Sequence, residues 1–409
     1  MSTLVAQRSD GKLREKYEKL GKKMIRKKIC FVSTVPIPLL VFMREHVEKL
    51  SEYYDITLLC SGDGQELKGM LNDRVVFQSI PIERKIKPGA DIRALLALLR
   101  IFQQQKFDCV HSLMPKAGLL AMLASWLTRV PVRIHIFTGQ VWFAKSGLSR
   151  AVLKWMDRIV AACATHLMAD SPSQSDFLVA EKVVPRTKIT VLGQGSISGV
   201  DVERFKFDAD ARRNVRAELD IAADAIVFLF LARMTRVKGI LNLSKAFAGI
   251  EAQMPRAQLL IVGPDEEELA PLLEKEWAGC AHKVHRVNYT NQPERYMSAA
   301  DIFCLPSYLE GFSSATIQAA GVGLPAIVSH IYGLTDAVKG GVTGIFHEAG
   351  DILEMQNAMR LLYTDECLRQ QMGAAAQRRA YQDFSQEVIV EAMRDYYQQV
   401  IGGQEKHDV

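Results

Sequence analysis

Two basic side chains and one carboxylate carry the most specific chemical signal in this 409-residue sequence. Arg233 and Lys238 lie in the segment Leu231 to Gly239 (LARMTRVKG), directly after an apolar run that reads as a buried strand. Glu310 lies in the segment Leu305 to Ser314 (LPSYLEGFSS), where another strand ends at Pro306 and Ser313 or Ser314 can cap a helix running to about Ala320. A helix N-terminus after a glycine turn presents free N–H groups to an anion, and a diphosphate is its natural occupant. Two cations at a neighbouring strand end would neutralise the same anion, and Gln318 falls in the helix within reach of it. Taken alone, each segment is also compatible with an ordinary strand-loop-helix unit bearing solvated charges. Their combination favours an anion site.

A second candidate group is His111, Thr138, Gly139 and Gln140, at the ends of two more predicted strands. His111 has a plainer alternative as a hydrogen-bonded core histidine, and His135, inside a strand, reads as structural. Trp142, Phe143, Lys145, Arg150, Lys154 and Trp155 mix aromatic and basic residues, a pattern suited either to a membrane interface or to an amphipathic helix packed on a sheet. The commoner signatures do not occur: there is no G-x-G-x-x-G, P-loop, G-x-S-x-G or H-E-x-x-H. Asp208-Ala-Asp210 sits in a polar linker rather than at a strand end, so no metal is expected there. Seven cysteines without a C-x-x-C pair argue against a disulfide framework or zinc cluster and for a reducing compartment.

The elements that must hold these residues follow from periodicity. Short apolar, β-branched runs alternate with longer helical segments, the pattern of parallel sheets covered on both faces. Strands are expected at 28–34, 55–61, 75–82, 108–113, 132–138, 166–170 and 188–192, then at 225–232, 258–262, 283–287, 302–306, 325–329 and 344–346. The polar stretch 199–213 reads as the boundary. The expected organisation is a basic extension (1–27), two doubly wound α/β domains (28–205 and 206–385) and a last helix and tail (386–409) packing back on the first domain. Ligands in such sheets bind beyond the carboxyl ends of the strands, so the cleft between domains is the expected site.

Charge is uneven. Residues 1–28 carry ten Lys or Arg against three acids, a net of +7, whereas the whole chain is only +5, so the remainder is −2. A general nucleic-acid binder would spread basic charge over its folded surface, which weighs against that class. Leu13, Tyr17, Leu20 and Met24 recur at helical spacing in the basic extension, which fits either an amphipathic helix on an anionic membrane or a solvated arm. No apolar h-region follows, so it does not read as a secretory signal, and the run Ala117–Leu127 is too short to span a bilayer. The expected place is the cytoplasm, with a peripheral position at the inner face of the membrane.

From about residue 28 to 400 the sequence resembles the retaining family-four glycosyltransferases of the GT-B fold, in particular bacterial enzymes of surface-polysaccharide synthesis. The matching stretches are His111–Leu119, His135–Trp142, Ala169–Leu178 and Val191–Phe205 in the first half. In the second they are Ala232–Gly239, Ile261–Asp265, Thr290–Asp301, Leu305–Ala320 and Ile331–Ala337. The resemblance implies that Arg233 and Lys238 hold the donor diphosphate and that Glu310 meets the donor sugar hydroxyls. Backbone amides of Gly311, Phe312 and Ser313 then touch sugar or phosphate. The family's second glutamate, a ribose ligand, is Gln318 here; an amide offers one acceptor oxygen where a carboxylate offers two, so ribose binding is expected to weaken. Relatives often carry Arg at the position of Leu309 and Gly at that of Ala232. His111, Thr138, Gly139 and Gln140 fall on the side that binds acceptor and shapes the sugar pocket. The implied reaction is transfer of a hexosyl or N-acetylhexosaminyl group from a nucleotide diphosphate sugar, UDP favoured, to a glycan or lipid-linked acceptor, without metal or other cofactor. Two other classes stay open: a catalytically weakened partner subunit on the same fold, and a nucleotide-sugar epimerase.

Overall fold

The computed structural model describes residues 26–84 and 86–403; the periodic positions Leu13, Tyr17, Leu20 and Met24 of the basic extension lie outside the described residues. Two all-parallel sheets hold the chain together. The first contains β1 (Lys28–Val32), β2 (Asp55–Cys60), β3 (Val75–Ser79), β4 (Cys109–Leu113), β5 (Val132–Phe137), β6 (His166–Ala169) and β7 (Ile189–Val191), in the order β3-β2-β1-β4-β5-β6-β7. The second contains β8 (Ile226–Leu231), β9 (Ala257–Val262), β10 (Val284–Val287), β11 (Ile302–Leu305), β12 (Ala326–Ser329) and β13 (Gly344–His347), in the order β10-β9-β8-β11-β12-β13. The thirteen runs expected from periodicity are these thirteen strands. Central strands such as Cys109–Leu113 and Ile302–Leu305 are buried on both faces, which is why they read as continuous apolar runs.

Each sheet reverses its strand order between its first and fourth strands, β1 beside β4 and β8 beside β11. At such a switch point the loops after the two strands diverge and leave a crevice. In the second sheet this brings Arg233 and Lys238, after β8, against Glu310, after β11, although Lys238 and Glu310 are 72 positions apart.

The helices used below are α1 (Pro88–Gln105), α2 (Pro115–Leu127), α3 (Gly147–Cys163), α4 (Pro172–Ala180), α5 (Ile240–Ile250), α6 (Ser314–Val322) and α7 (Gln386–Gly402). Helix α7 returns to the first sheet, where Ile389, Met393 and Tyr397 are fully buried in one cluster with Ile29 and Phe31. The outgoing and returning chains run side by side at Val200, whose N–H donates to Phe384 and whose carbonyl accepts from Gln386 (2.7 and 2.8 Å). Asp208 of the D-x-D caps the helix Ala209–Glu218 by accepting from the amides of Asp210 and Ala211, and Asp210 pairs with Arg213. That motif is a helix start. Among the described residues no helix is long and apolar enough to cross a membrane.

Candidate active site

The loop after β8 turns through Arg236–Lys238 and enters α5 at Gly239, where φ is +72°. A Cβ there would sit 1.9 Å from the Pro306 carbonyl oxygen, so only glycine lets the two loops of the switch point lie this close. Lys238 Nζ reaches Glu310 Oε1 at 2.5 Å, and Ser307 Oγ donates to the same oxygen at 2.9 Å. The Glu310 side chain is 9% exposed and that of Lys238 19%, so the pair is largely shielded from water and held by a second donor. Arg233 is more open, 54% exposed, and pairs with Glu266 at 2.7 Å. Of the two expected caps it is Ser313 that closes α6, accepting from the Thr316 amide at 3.3 Å. Arg233, Lys238, Glu310 and residues Phe312–Ala315 line one open hollow of about 270 Å³. Gln318 is half-buried one turn further along α6 and lies outside that lining.

The first domain approaches this hollow at Gly311. A Cβ on Gly311 would fall 2.7 Å from both the Asp170 Oδ2 and the Thr138 carbonyl carbon, and 2.8 Å from the Gly139 amide. Thr138 and Gly139 are thus cleft residues, and a Cβ on Gly139, whose φ is +112°, would lie 3.4 Å from the Gly311 amide. Gln140 is buried beside them, its Oε1 accepting from Gln174 at 3.3 Å. Ser171 donates to the Gly311 carbonyl at 3.1 Å. Ser173 hydrogen-bonds Asp336 and takes the Gly333 amide at 2.8 Å, while Phe177 stacks on Tyr332 with ring centres 4.6 Å apart. These residues latch the second domain to α4 of the first.

Asp170, Ser173, Phe177, Tyr332 and Asp336 were not singled out from sequence. The segment Ala169–Leu178 marked the place, but pairs about 160 positions apart become neighbours only when the domains meet. Asp170 is fully buried with Oδ1 unpartnered, and burial holds its carboxyl well above the usual range. Gly311→Ala should therefore cost the closed form about 1–3 kcal/mol, as overpacking against backbone does. Small-angle scattering should show a larger radius of gyration, with each domain still melting cooperatively; an unchanged radius contradicts the contact.

For two sequence candidates the structure selects the plainer alternative. His111 is in the core instead of the cleft: it is 0% exposed, and its Nδ1 meets the Tyr397 hydroxyl of α7 at 2.6 Å. Burial, then His135 and His46, push its pKa down to about 3, so the ring is neutral. Trp142 is likewise buried, donating from Nε1 to Asp157 at 2.7 Å with Phe177 stacked on it, whereas Trp155 remains exposed. Packing on the sheet accounts for the first aromatic of that set.

Residues 41–195 match the family described as glycosyl transferase 4-like domain, and residues 211–379 match glycosyl transferases group 1. The chain is 30% identical over 378 residues to a capsular polysaccharide biosynthesis glycosyltransferase, CapM, of Staphylococcus aureus, covering 91% of this chain and 97% of that protein. It is 27% identical to a UDP-Gal:alpha-D-GlcNAc-diphosphoundecaprenol alpha-1,3-galactosyltransferase of Escherichia coli, over 85% and 89% of the two chains. Among solved structures, Anabaena HepE in complex with UDP and glucose superposes with a TM-score of 0.74 at 16% identity, covering 91% of this chain and 99% of that one. A sucrose-phosphate synthase of Thermosynechococcus elongatus gives 0.76 at 20%, covering 92% and 100%. At those identities the structural likeness speaks for the fold.

Proposed function

Because the chain belongs to the group 1 glycosyl transferases, with the two-domain GT-B fold, we propose that it transfers a sugar from a UDP-sugar to a hydroxyl of a glycan or lipid-linked acceptor in surface-polysaccharide synthesis, retaining the anomeric configuration. The observation that carries this is the shielded Lys238–Glu310 pair facing the Ser313-capped end of α6 across one hollow. An anionic diphosphate seated there meets Lys238, Arg233 and the helix N-terminus, which together stabilise charge as the bond to the sugar breaks. Glu310 then accepts from sugar hydroxyls while backbone amides of Gly311, Phe312 and Ser313 orient the ring and phosphate. Gln318 serves the ribose, and Thr138, Gly139 and Gln140 face the acceptor.

In the reaction the anomeric carbon loses its bond to the diphosphate oxygen and gains one to the acceptor oxygen. The acceptor proton passes to the departing phosphate, so UDP leaves and no protein base is required. Closure at Gly311 keeps water from the electron-poor sugar. The relatives named for capsule synthesis and for a diphospholipid acceptor support the choice of pathway and acceptor class.

Incubation with UDP-sugars and a lipid diphosphate-linked sugar should release UDP and give a product whose anomeric proton keeps the donor's coupling. An inverted product overturns retention. UDP binding without turnover on any acceptor instead favours the scaffold reading that Gln318 invites. Gln318→Glu should tighten UDP binding by about 1 kcal/mol, the difference between neutral and charge-assisted hydrogen bonds, in calorimetry; weaker binding contradicts the ribose assignment.

A further inference from the structure

The seam between the two domains closes over a carboxyl. Asp170 lies between β6 and Ser171, the cap of α4, and is 5% exposed, with its Oδ1 atom buried and unpartnered. Its backbone is fixed in the first domain: the Asp170 amide donates to the Gln174 side chain at 2.8 Å, and its carbonyl accepts from the Ser196 amide at 2.7 Å. Its side chain meets the second domain, where a Cβ on Gly311 would fall 2.7 Å from Oδ2. Ser171 and Ser173 bond Gly311 and Gly333 across the same seam. Parting the domains at Gly311 therefore uncovers the Asp170 carboxyl, and closing them buries it.

The charged groups nearby offer that carboxyl no compensation. Lys238 is held by Glu310 at 2.5 Å, and Lys116 of α2, which lines a pocket with Thr138, is paired with Asp91 of α1 at 2.6 Å. What the second domain brings to the seam is acidic or neutral. Glu310 precedes Gly311, Asp336 accepts from the Ser173 amide at 3.0 Å, and the Tyr332 hydroxyl has its pKa held up by burial, with Glu310 and Asp170 adding to the rise. From the first domain, Thr138–Gln140, Gly195–Ser196 and the Gln174 amide carry no titratable side chain against it. An ionised carboxyl placed there loses its water and gains no partner, whereas a protonated one forgoes only a hydrogen bond. Burial accordingly holds Asp170 well above the usual carboxylate range. Asp157 of α3 is raised as well, but Trp142 bonds it inside the first domain, away from the seam.

We propose that Asp170 is a proton-operated latch: the domains close over its carboxyl when it is protonated and part when it ionises. The proton comes from solvent on closing and returns to solvent on opening. The proposal rests on the glycosyltransferase reading for the part that closure plays in turnover, and adds to it the condition under which the cleft shuts. The sign follows from the burial. The closed form keeps the proton at pH values where the open, solvated carboxyl has lost it, so closing takes up a proton. The closed-to-open ratio then falls by up to about tenfold for each pH unit above the ordinary carboxylate range.

The test is small-angle scattering of the full, ligand-free chain from about pH 5 to 8.5, with melting curves to confirm folding. The wild-type radius of gyration should rise with pH, corresponding to a closed-to-open ratio that drops at least tenfold over that range. Asp170→Asn, which keeps the size without the charge, and Asp170→Ser, a second neutral replacement, should hold one radius throughout. A wild-type radius that ignores pH, or the same rise in either variant that melts cooperatively, overturns the proposal. UDP binding to the wild type, measured by calorimetry, is a separate arm. Its absence would strike the donor-site reading and leave the scattering result to decide the latch, so the two failures are told apart.

Discussion

Lys238→Met should lower turnover by about 2–4 kcal/mol of transition-state stabilisation, a loss of roughly 30- to 1000-fold, with the fold intact. The ammonium does two things in the geometry found here. It stands ready for the diphosphate in the hollow it shares with α6, and it neutralises Glu310, whose carboxylate is 9% exposed and 2.5 Å away. Removing it leaves that buried carboxylate held by the Ser307 hydroxyl, a like charge beside the arriving diphosphate. Glu310→Gln added to Lys238→Met should then recover part of the loss in UDP affinity, because the uncompensated charge is gone, but not the turnover. Arg233, half-exposed and already paired with Glu266, should cost less when replaced. The check is single-turnover donor consumption together with calorimetry of UDP binding and a melting curve. Wild-type turnover in Lys238→Met contradicts the diphosphate assignment.

The second large effect is a linkage effect at His111. In the folded chain burial keeps its ring neutral down to about pH 3, while in the unfolded chain it takes a proton near pH 6.5. Unfolding therefore takes up a proton in that window, and stability falls as pH is lowered through it by about 1.4 kcal/mol per unit. Between pH 7 and 4.5 this one ring should account for about 2–3 kcal/mol. Asp157, raised to about 6, and Asp170, also raised by burial, act in the opposite sense, losing stability as pH rises above the ordinary carboxylate range. The informative quantity is thus the difference between wild type and His111→Gln. The variant's urea-unfolding free energy should vary with pH less steeply by about one proton between pH 6 and 4.5. Identical slopes would mean a solvated ring near its ordinary pKa, which is what a cleft residue would show.

His111 illustrates where sequence reading runs out. Strand β4 is buried at all five positions, so period-two alternation, which would tell the cleft face from the core face, is missing. Its partner Tyr397 comes from the returning helix 286 positions later, a contact no local pattern encodes. The opposite holds for Glu310 and Lys238. Each follows a continuous apolar run, closed by Pro306 before Glu310 and by Arg233 before Lys238, and parallel-sheet topology alone requires that strands flanking a switch point bring their following loops together. The thirteen strands were legible for the same reason: buried parallel strands are short apolar bursts between polar helical segments. Asp170 and Tyr332 were not, because their proximity depends on how two finished domains meet. Residues 305–322 also fixed the helix start to one of two serines, and geometry selected Ser313 because its hydroxyl reaches the Thr316 amide.

A nucleotide panel decides the account at its root. The full chain is melted with UDP, GDP, ADP, CMP and their common sugar conjugates, with and without EDTA. A ligand at about 100 times its dissociation constant adds about 2.7 kcal/mol to the native state, which moves the melting point by several degrees. The geometry of Arg233, Lys238, Glu310 and the α6 end predicts a shift with UDP and a UDP-sugar that EDTA leaves unchanged and Lys238→Met reduces. No shift with any nucleotide would contradict a donor site at the second domain's switch point.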